Sequence, residues 1–246
     1  MATDAHVERP QRVALVTGGS QGLGRALAER LVASGWAVVI DARRRERLDD
    51  AVAALASHGE VVGIAGDVTD PEHRAALVRA VADRGGVDLV VHNASTLGAS
   101  PLPALDEIDL DVLRRTFEVN VIAPIALQQA LRPWLRDGAT VVAITSDAAV
   151  EAYETWGGYG SSKAALEHAS RVLAVEQPDV RVLVVDPGDM QTEMHRDAFP
   201  DEDISDRPLP DASADAIVAL VDSDVPSGRY RTADVPVRTD GAGSAL

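Results

Sequence analysis

Six short runs rich in valine, isoleucine and leucine recur along this 246-residue chain, and segments with helical periodicity separate them. The runs are almost continuously apolar, which is typical of parallel strands that helices cover on both faces. They read RVALVTGG, WAVVID, EVVGIAGDV, VDLVVHNA, ATVVAITS and VRVLVVDPG, and GRYRTADV is a possible seventh. Right-handed crossovers between them predict an α/β fold, a doubly wound and mostly parallel seven-stranded sheet with helices on both faces.

Length favours a single domain over residues 1–246, because parallel α/β folds of this size often form one unit. Within it we expect a flexible tail at residues 1–10. Residues 193–211 form an acidic, proline-containing stretch between the sixth strand and the last helix, and a long irregular segment at this position predicts a substrate lid. A plain solvated loop is the alternative.

The charge and the absent residue types exclude several function classes. A net charge of -16 argues against nucleic acid or an anionic membrane surface as a partner. The chain has no cysteine, which excludes disulfides and thiolate chemistry, and its histidines lack metal-ligand spacing, so no metal site is predicted. The first residues contain no apolar signal region, and no apolar stretch reaches the roughly 18 residues of a membrane span. These features predict a cytoplasmic protein.

A glycine-rich loop, Thr17 to Gly24, directly follows the first apolar run and opens a helix. Glycines at 18, 22 and 24 permit a tight turn, backbone approach to a pyrophosphate and close packing of helix on strand. The strand–loop–helix context favours a dinucleotide site over a purely structural turn.

The end of the second strand, Ile40-Asp41-Ala42-Arg43-Arg44-Arg45, carries opposite indications about that dinucleotide. An acid here accepts hydrogen bonds from the ribose 2′-hydroxyl of NAD, whereas arginine accommodates the 2′-phosphate of NADP. Asp41 alone favours NAD and the arginine run favours NADP, so spacing leaves both open.

Motifs spread along nearly the whole chain resemble those of the short-chain dehydrogenase/reductase family, in its compact single-domain form with a Rossmann fold. The matching positions are Thr17, Gly18, Gly22 and Gly24 of TGxxxGxG, Asp67 and Val68, Asn93 and Ala94 of NNAG, Asn120, Ser146, Tyr159 and Lys163 of YxxxK, and Pro187, Gly188 and Thr192 of PGxxxT. His92 and Ser95 depart from NNAG. We interpret His92 as structural, while Ser95 is either neutral or narrows the pocket beside the nicotinamide ribose.

The chemistry of carbonyl reduction explains the catalytic residue types that the resemblance implies. Negative charge develops on the carbonyl oxygen, so a proton donor and a hydrogen-bond donor must both reach it. Tyr159 is expected to donate the proton and Ser146 to orient and stabilise the oxygen. Lys163, the only lysine, lies four residues along a helix from Tyr159 and is expected to lower the pKa of the phenol and to bind the ribose. By resemblance, Asn120 holds a water that connects Lys163 to solvent.

The resemblance also favours NADP(H) over NAD(H). In NAD-preferring members the discriminating acid stands at the position of Ala42, one residue beyond Asp41. In NADP-preferring members a small or hydroxyl residue stands there and an arginine comes next, as Ala42 and Arg43 do here. NAD(H) stays possible because of Asp41. The resemblance places the cofactor against Gly18, Ser20, Gln21, Gly22, Leu23, Gly24, Arg43, Asp67, Val68, Asn93, Ala94, Ser95, Tyr159, Lys163, Pro187, Gly188, Met190 and Thr192.

We therefore expect an NADP(H)-dependent oxidoreductase that interconverts a ketone and a secondary alcohol. A non-catalytic dinucleotide sensor on the same fold is the alternative, as is a family member that acts on an imine or enone. Asp147 and Asp189 flank the site and either bind a polar or cationic substrate or cap turns. Resemblance implies a homotetramer or homodimer through helices around residues 112–131 and 161–175.

Overall fold

A seven-stranded parallel sheet forms the centre of the computed structural model, which describes residues 10–236. The strands are β1 Val13–Val16, β2 Ala37–Ala42, β3 Val61–Ala65, β4 Val87–His92, β5 Leu135–Ile144, β6 Arg181–Asp186 and β7 Gly228–Arg231. Their order is β3-β2-β1-β4-β5-β6-β7 and every neighbouring pair is parallel. The predicted fold class and all seven strands are confirmed. The expected tail lies outside the described residues except for Pro10, which is exposed.

Helices cover both faces of this sheet. They are α1 Gly22–Ala33, α2 Arg45–Leu55, α3 Pro71–Ala82, α4 Leu110–Phe117, α5 Ala123–Leu131, α6 Gly157–Glu176, α7 Glu193–Ala198 and α8 Pro210–Asp222. A π-helical turn over Glu118–Ile122 joins α4 to α5. None of the helices in residues 10–236 combines the length and apolarity needed to cross a bilayer.

Two hydrophobic cores lie on opposite faces of the sheet. Val38 packs in one core with residues of α1 and α8 such as Leu27 and Ile217, whereas its neighbour Val39 packs in the other core with Leu77 of α3. Successive residues of a strand point to opposite faces, so a strand buried on both sides must be apolar at consecutive positions. This explains the continuous apolar runs of the sequence.

The strand order reverses between β1 and β4, and the loops that follow the carboxyl ends of the strands diverge there. In open α/β sheets such a switch point forms the ligand crevice. The fold therefore brings the loops after β1, β2, β4, β5 and β6 together at one edge.

The segment 193–211 is more ordered than the sequence predicted. It contains the helix α7, and α8 begins at Pro210. The Thr192 hydroxyl caps α7 by accepting from the His195 N–H at 3.1 Å, and proline is favourable in the first turn of α8. A six-residue helix is too short for periodicity to reveal it.

A buried ionic network ties β7 to the centre of the sheet. The guanidinium of Arg229 donates to Glu167 of α6 at 3.2 Å and to Asp186 of β6 at 3.1 Å, and it reaches the backbone carbonyl of Ser146 at 3.3 Å. Glu167 also accepts from the Thr145 hydroxyl. Arg229 therefore pairs with two buried carboxylates and bonds the backbone just after β5. Glu167 has a second cationic partner in Arg171, whereas Asp186 has Arg229 alone within residues 10–236.

We expect Arg229→Ala to lower the free energy of unfolding by about 3 kcal/mol, because removing one partner of a buried ion pair leaves uncompensated charge. Urea unfolding at neutral pH measures this. Arg231→Ala, on the same strand but exposed, is the matched control and should change stability by less than about 0.5 kcal/mol. Equal stability of the two variants would contradict the proposed role of the network.

Candidate active site

A cavity of about 520 Å³ occupies the crevice at the carboxyl ends of the strands. Every predicted site residue except Asn120 lines it, including the glycine loop, Arg43, Ser146, Tyr159 and Lys163. Its volume lies in the range of ligand pockets in general. Residues that the sequence placed far apart, from Gly18 to Thr192, thus meet around one space.

The glycine loop forms a cradle that side chains would obstruct. A Cβ atom at Gly24 would lie 2.3 Å from the carbonyl oxygen of Gly18, and Gly18 and Gly22 have φ angles of 69° and 53°. The amide of Asn93 donates to the carbonyls of Thr17 and Gly18 at 2.8 and 3.2 Å and fixes the loop. The conformation of the loop therefore depends on glycine at these positions and on the bonds from Asn93.

The amino terminus of α1 opens onto this cradle and is suited to an anion. Gln21 precedes the helix without a side-chain capping bond, and no acid lies in the first turn. The first N–H groups of a helix lack intrahelical partners and attract negative charge. Gly22 faces Thr192 across the cavity, where an added Cβ would lie 3.4 Å from the threonine methyl group. These features fit the pyrophosphate of a dinucleotide.

Asp41 points into the protein although its backbone borders the cavity. Its side chain is 1% exposed, and its carboxylate accepts from the Gly18 N–H at 2.7 Å and pairs with Nε2 of His73 at 2.8 Å. Both oxygens are therefore engaged inside the fold. Asp41 holds the start of the glycine loop against α3.

The arginines after β2 differ in position. Arg43 and Arg44 line the cavity and Arg45 does not. Arg43 is exposed and has no ion-pair partner in residues 10–236, whereas Arg44 lies 3.7 Å from Glu193.

A further arginine, Arg47, also lines the cavity and was missed in the sequence. It pairs with Glu193 at 2.5 Å and donates to the side-chain carbonyl of Gln21. The bond to Glu193 joins α2 to α7, and the bond to Gln21 joins α2 to the residue before α1. Arg43 precedes α2, so helical spacing in the sequence gave no signal for Arg47.

The predicted catalytic side chains converge where β5 ends. Ser146 follows β5, and Tyr159 and Lys163 lie four residues apart on buried positions of α6. The Lys163 side chain is almost fully buried, and its ammonium donates to the carbonyl of Ile144 at 2.9 Å. Burial lowers the pKa of Lys163 to about 8.

In this structure the pKa of the Tyr159 phenol is raised, which is opposite to the direction expected from Lys163. Burial raises that pKa above its usual value near 10, the Asp147 carboxylate raises it further, and the hydroxyls of Ser95 and Ser146 act in the opposite direction. The ammonium of Lys163 lies 5.6 Å from the centre of the phenol ring. Burial and the Asp147 carboxylate therefore set the direction of the shift, and the phenol is protonated at neutral pH.

Asn120 lies behind the cavity, in the π-helical turn, rather than on its wall. Its amide donates to the Thr96 carbonyl and the Ser162 hydroxyl, both at 2.9 Å. Its oxygen accepts from the Ser95 hydroxyl at 3.1 Å and the Thr96 N–H at 2.9 Å. Asn120 thus fixes the loop that follows β4, and Ser95, which departs from the family pattern, links this asparagine to the cavity.

His92 is buried at the end of β4. Its Nε2 lies 3.3 Å from the side-chain oxygen of Gln128, and Nδ1 has no hydrogen-bond partner in the described residues. Burial lowers the pKa of His92 to about 4, although the bond to Gln128 opposes this. The imidazole is therefore neutral at pH 7 and surrounded by the core, as a structural residue would be.

We expect His92→Asn to make the protein less sensitive to acid. Between about 6.5, the usual histidine pKa, and about 4, the unfolded chain binds a proton that the folded chain does not, so stability falls as pH falls through this window. Urea unfolding at pH of about 7 and about 5 should show a smaller loss for the variant than for the native protein. His58→Asn, at an exposed position, is the control. An undiminished loss in His92→Asn would contradict a neutral, buried imidazole.

The chain is similar to proteins of known family in sequence. A family model described as short chain dehydrogenase matches residues 12–203. Short-chain dehydrogenase/reductase SDRA of Arabidopsis thaliana is 38% identical over 184 residues, which cover 74% of this chain and 72% of that protein. Tropinone reductase-like 3 of Erythroxylum coca is 38% identical over 185 residues, which cover 74% and 70%.

The chain is also similar to solved structures. An alcohol dehydrogenase from the archaeon Thermococcus sibiricus, complexed with 5-hydroxy-NADP, superposes with a TM-score of 0.81 at 29% identity. The match covers 90% of this chain and 95% of that one. The similarity therefore extends over the sheet and the crevice together.

Proposed function

Because this chain belongs to the short-chain dehydrogenase/reductase family and is an NAD(P)-dependent dehydrogenase or reductase, we propose that it interconverts a ketone and a secondary alcohol with NADP(H). The observation that carries the proposal is the grouping of Ser146, Tyr159 and Lys163 on the wall of the cavity that the glycine loop also lines. A proton donor and a hydrogen-bond donor at one point suit the reduction of a carbonyl.

The preference for NADP(H) rests on two residues at the end of β2, Asp41 inside the strand and Arg43 directly after it. Asp41, the candidate partner for a free ribose 2′-hydroxyl, is buried and engaged by Gly18 and His73. Arg43 is exposed on the cavity wall and free to pair with a 2′-phosphate. The similar Thermococcus sibiricus structure carries an NADP derivative, which supports the same choice.

Arg43→Glu should raise the KM for NADPH by about tenfold to a hundredfold and change the KM for NADH much less, because it replaces a charge-assisted hydrogen bond with repulsion. Steady-state kinetics with each cofactor measure this. Arg45→Glu changes the net charge equally at a position outside the cavity and is the matched control. An equal effect of Arg43→Glu on both cofactors would overturn the assignment.

Within the cavity, the chain's own residues bind and protonate the substrate oxygen. NADPH, when bound, supplies the hydride that reduces the carbonyl carbon. The Ser146 hydroxyl orients the oxygen, and the phenol of Tyr159 donates its proton to it. Because the pKa of Tyr159 is not lowered, the phenol is protonated at neutral pH, which is the form that reduction requires. Lys163 would bind the nicotinamide ribose beside the phenol.

Tyr159→Phe should lower kcat by at least about a hundredfold while leaving the dissociation constant for NADPH within a few-fold of the native value, because the phenol hydroxyl donates the proton and the ring can stay in place. Turnover of a ketone panel and fluorescence titration with NADPH measure the two effects separately. Unchanged turnover would contradict the role of Tyr159. Cofactor binding without turnover in the native protein would instead favour a non-catalytic sensor.

We also propose that residues 193–211 act as the substrate lid. Glu193 at the start of α7 pairs with Arg47 of α2. On the other side, the Ser100 hydroxyl donates to the carbonyl of Asp197 at 2.6 Å. Both contacts are polar, and they connect the segment to elements on two sides of the cavity. Substitutions that remove these contacts would let the segment move away from the cavity.

A homodimer or homotetramer in the cytoplasm completes the proposal. Apolar side chains are exposed on the two predicted interface helices: Ile122 and Ile125 near the start of α5, and Val172 and Val175 near the end of α6. Val175 is 81% exposed. Apolar side chains that a second copy covers would account for this exposure.

A further inference from the structure

The carboxylate of Asp147 lies directly beside the residues proposed to bind the carbonyl. It accepts hydrogen bonds from the Ser146 hydroxyl at 2.9 Å, the Ala148 N–H at 2.8 Å and the Tyr153 hydroxyl at 2.9 Å. It is exposed on the cavity wall, and no cationic side chain pairs with it in residues 10–236. A carboxylate fixed by three donors but without a counter-charge can receive one from a ligand.

Aromatic rings are concentrated on the same wall. The chain has only three tryptophans, three tyrosines and two phenylalanines, and half of them form a continuous row here. The ring centres of Trp156 lie 6.5 Å from Tyr153, 5.7 Å from Tyr159 and 5.7 Å from Phe199. Trp156 and Tyr159 line the cavity itself. Aromatic faces next to a carboxylate are typical of sites that bind ammonium groups.

Asp147 contributes negative charge beside the proposed carbonyl site. Asp147 and Asp186 both raise the pKa of Tyr159, which reports negative potential at the point where the carbonyl oxygen gains charge. The Ser146 hydroxyl has one proton, so it turns from Asp147 to donate to a bound carbonyl oxygen. Because the serine oxygen lies 2.9 Å from the carboxylate, that carbonyl oxygen lies within about 6 Å of Asp147. A positive charge on the substrate would offset this potential during hydride transfer.

We propose that the substrate is a ketone that carries a positively charged nitrogen a few bonds from its carbonyl, bound between the Asp147 carboxylate and the Trp156 ring. This inference rests on the proposed reduction of a carbonyl at Ser146 and Tyr159. It assigns Asp147 as the residue that selects charge, while Asp189, which already lies near Arg207 and His195, does not.

The test compares two ketones of the same shape. One is a methyl ketone with a trimethylammonium group three methylenes from the carbonyl, and the other has a tert-butyl group in its place. With NADPH, kcat/KM for the cationic ketone should exceed that for the neutral ketone by about tenfold or more. Asp147→Asn should reduce this ratio to near one, and Asp189→Asn, which removes the same charge, should preserve it. Because the two ketones are compared within each variant, a general loss of activity lowers both kcat/KM values and leaves their ratio unchanged.

Three outcomes would overturn the inference: a ratio near or below one in the native enzyme, a ratio that Asp147→Asn leaves unchanged, or a ratio that Asp189→Asn abolishes equally. If neither ketone is reduced, calorimetric titration of the NADPH complex with both ketones decides. Preferential binding of the cation that Asp147→Asn abolishes would uphold charge selection and refute the proposed reduction. Equal binding or none would overturn the inference itself.

Discussion

The buried carboxylate of Asp41 is the contact on which the cofactor crevice depends. It joins the end of β2 to the start of the glycine loop through the Gly18 N–H and to α3 through His73. A charge-assisted bond in a dry environment is strong, and leaving either partner alone there would cost much more than in water. The loop, the amino terminus of α1 and the arginines of the next turn all take their positions from this anchored point. The acid that resembles an NAD determinant thus serves the scaffold.

Burial also governs the electrostatics around the substrate. Lys163, the only lysine, has its ammonium held by a backbone carbonyl, and desolvation lowers its pKa. The same desolvation, together with Asp147, keeps the phenol of Tyr159 protonated. The protonated phenol is the form of Tyr159 that the proposed reduction requires. The Asp147 carboxylate beside this phenol is the basis for the proposed selection of a positively charged substrate.

Patterns carried by the backbone could be predicted from the sequence. Apolar runs gave the strands because a sheet buried on both faces needs them, and the glycine loop gave the crevice because only glycine fits at Gly24. Properties that depend on side-chain direction could not be predicted. Asp41 and Ala42 are adjacent, and neighbouring residues of a strand face opposite ways, so an uncertainty of one residue reverses the meaning of the acid.

Effects that depend on residues far apart in the chain also could not be predicted from the sequence. The sign of the Tyr159 shift follows from burial and from Asp147, twelve positions earlier, whereas the motif displays only Lys163. Arg229, far along the chain, pairs with carboxylates on α6 and β6 that no local pattern connects to it. The helix α7 was missed because six residues are too few to show a period.

The most direct test of this account is a crystal structure of the protein with bound NADP⁺. We predict that the 2′-phosphate lies against the guanidinium of Arg43 while the Asp41 carboxylate keeps its bonds to the Gly18 N–H and His73. A ribose bound by the Asp41 carboxylate, with Arg43 turned away to solvent, would contradict the account, because the anchor of the loop and the determinant of the cofactor would then be one residue.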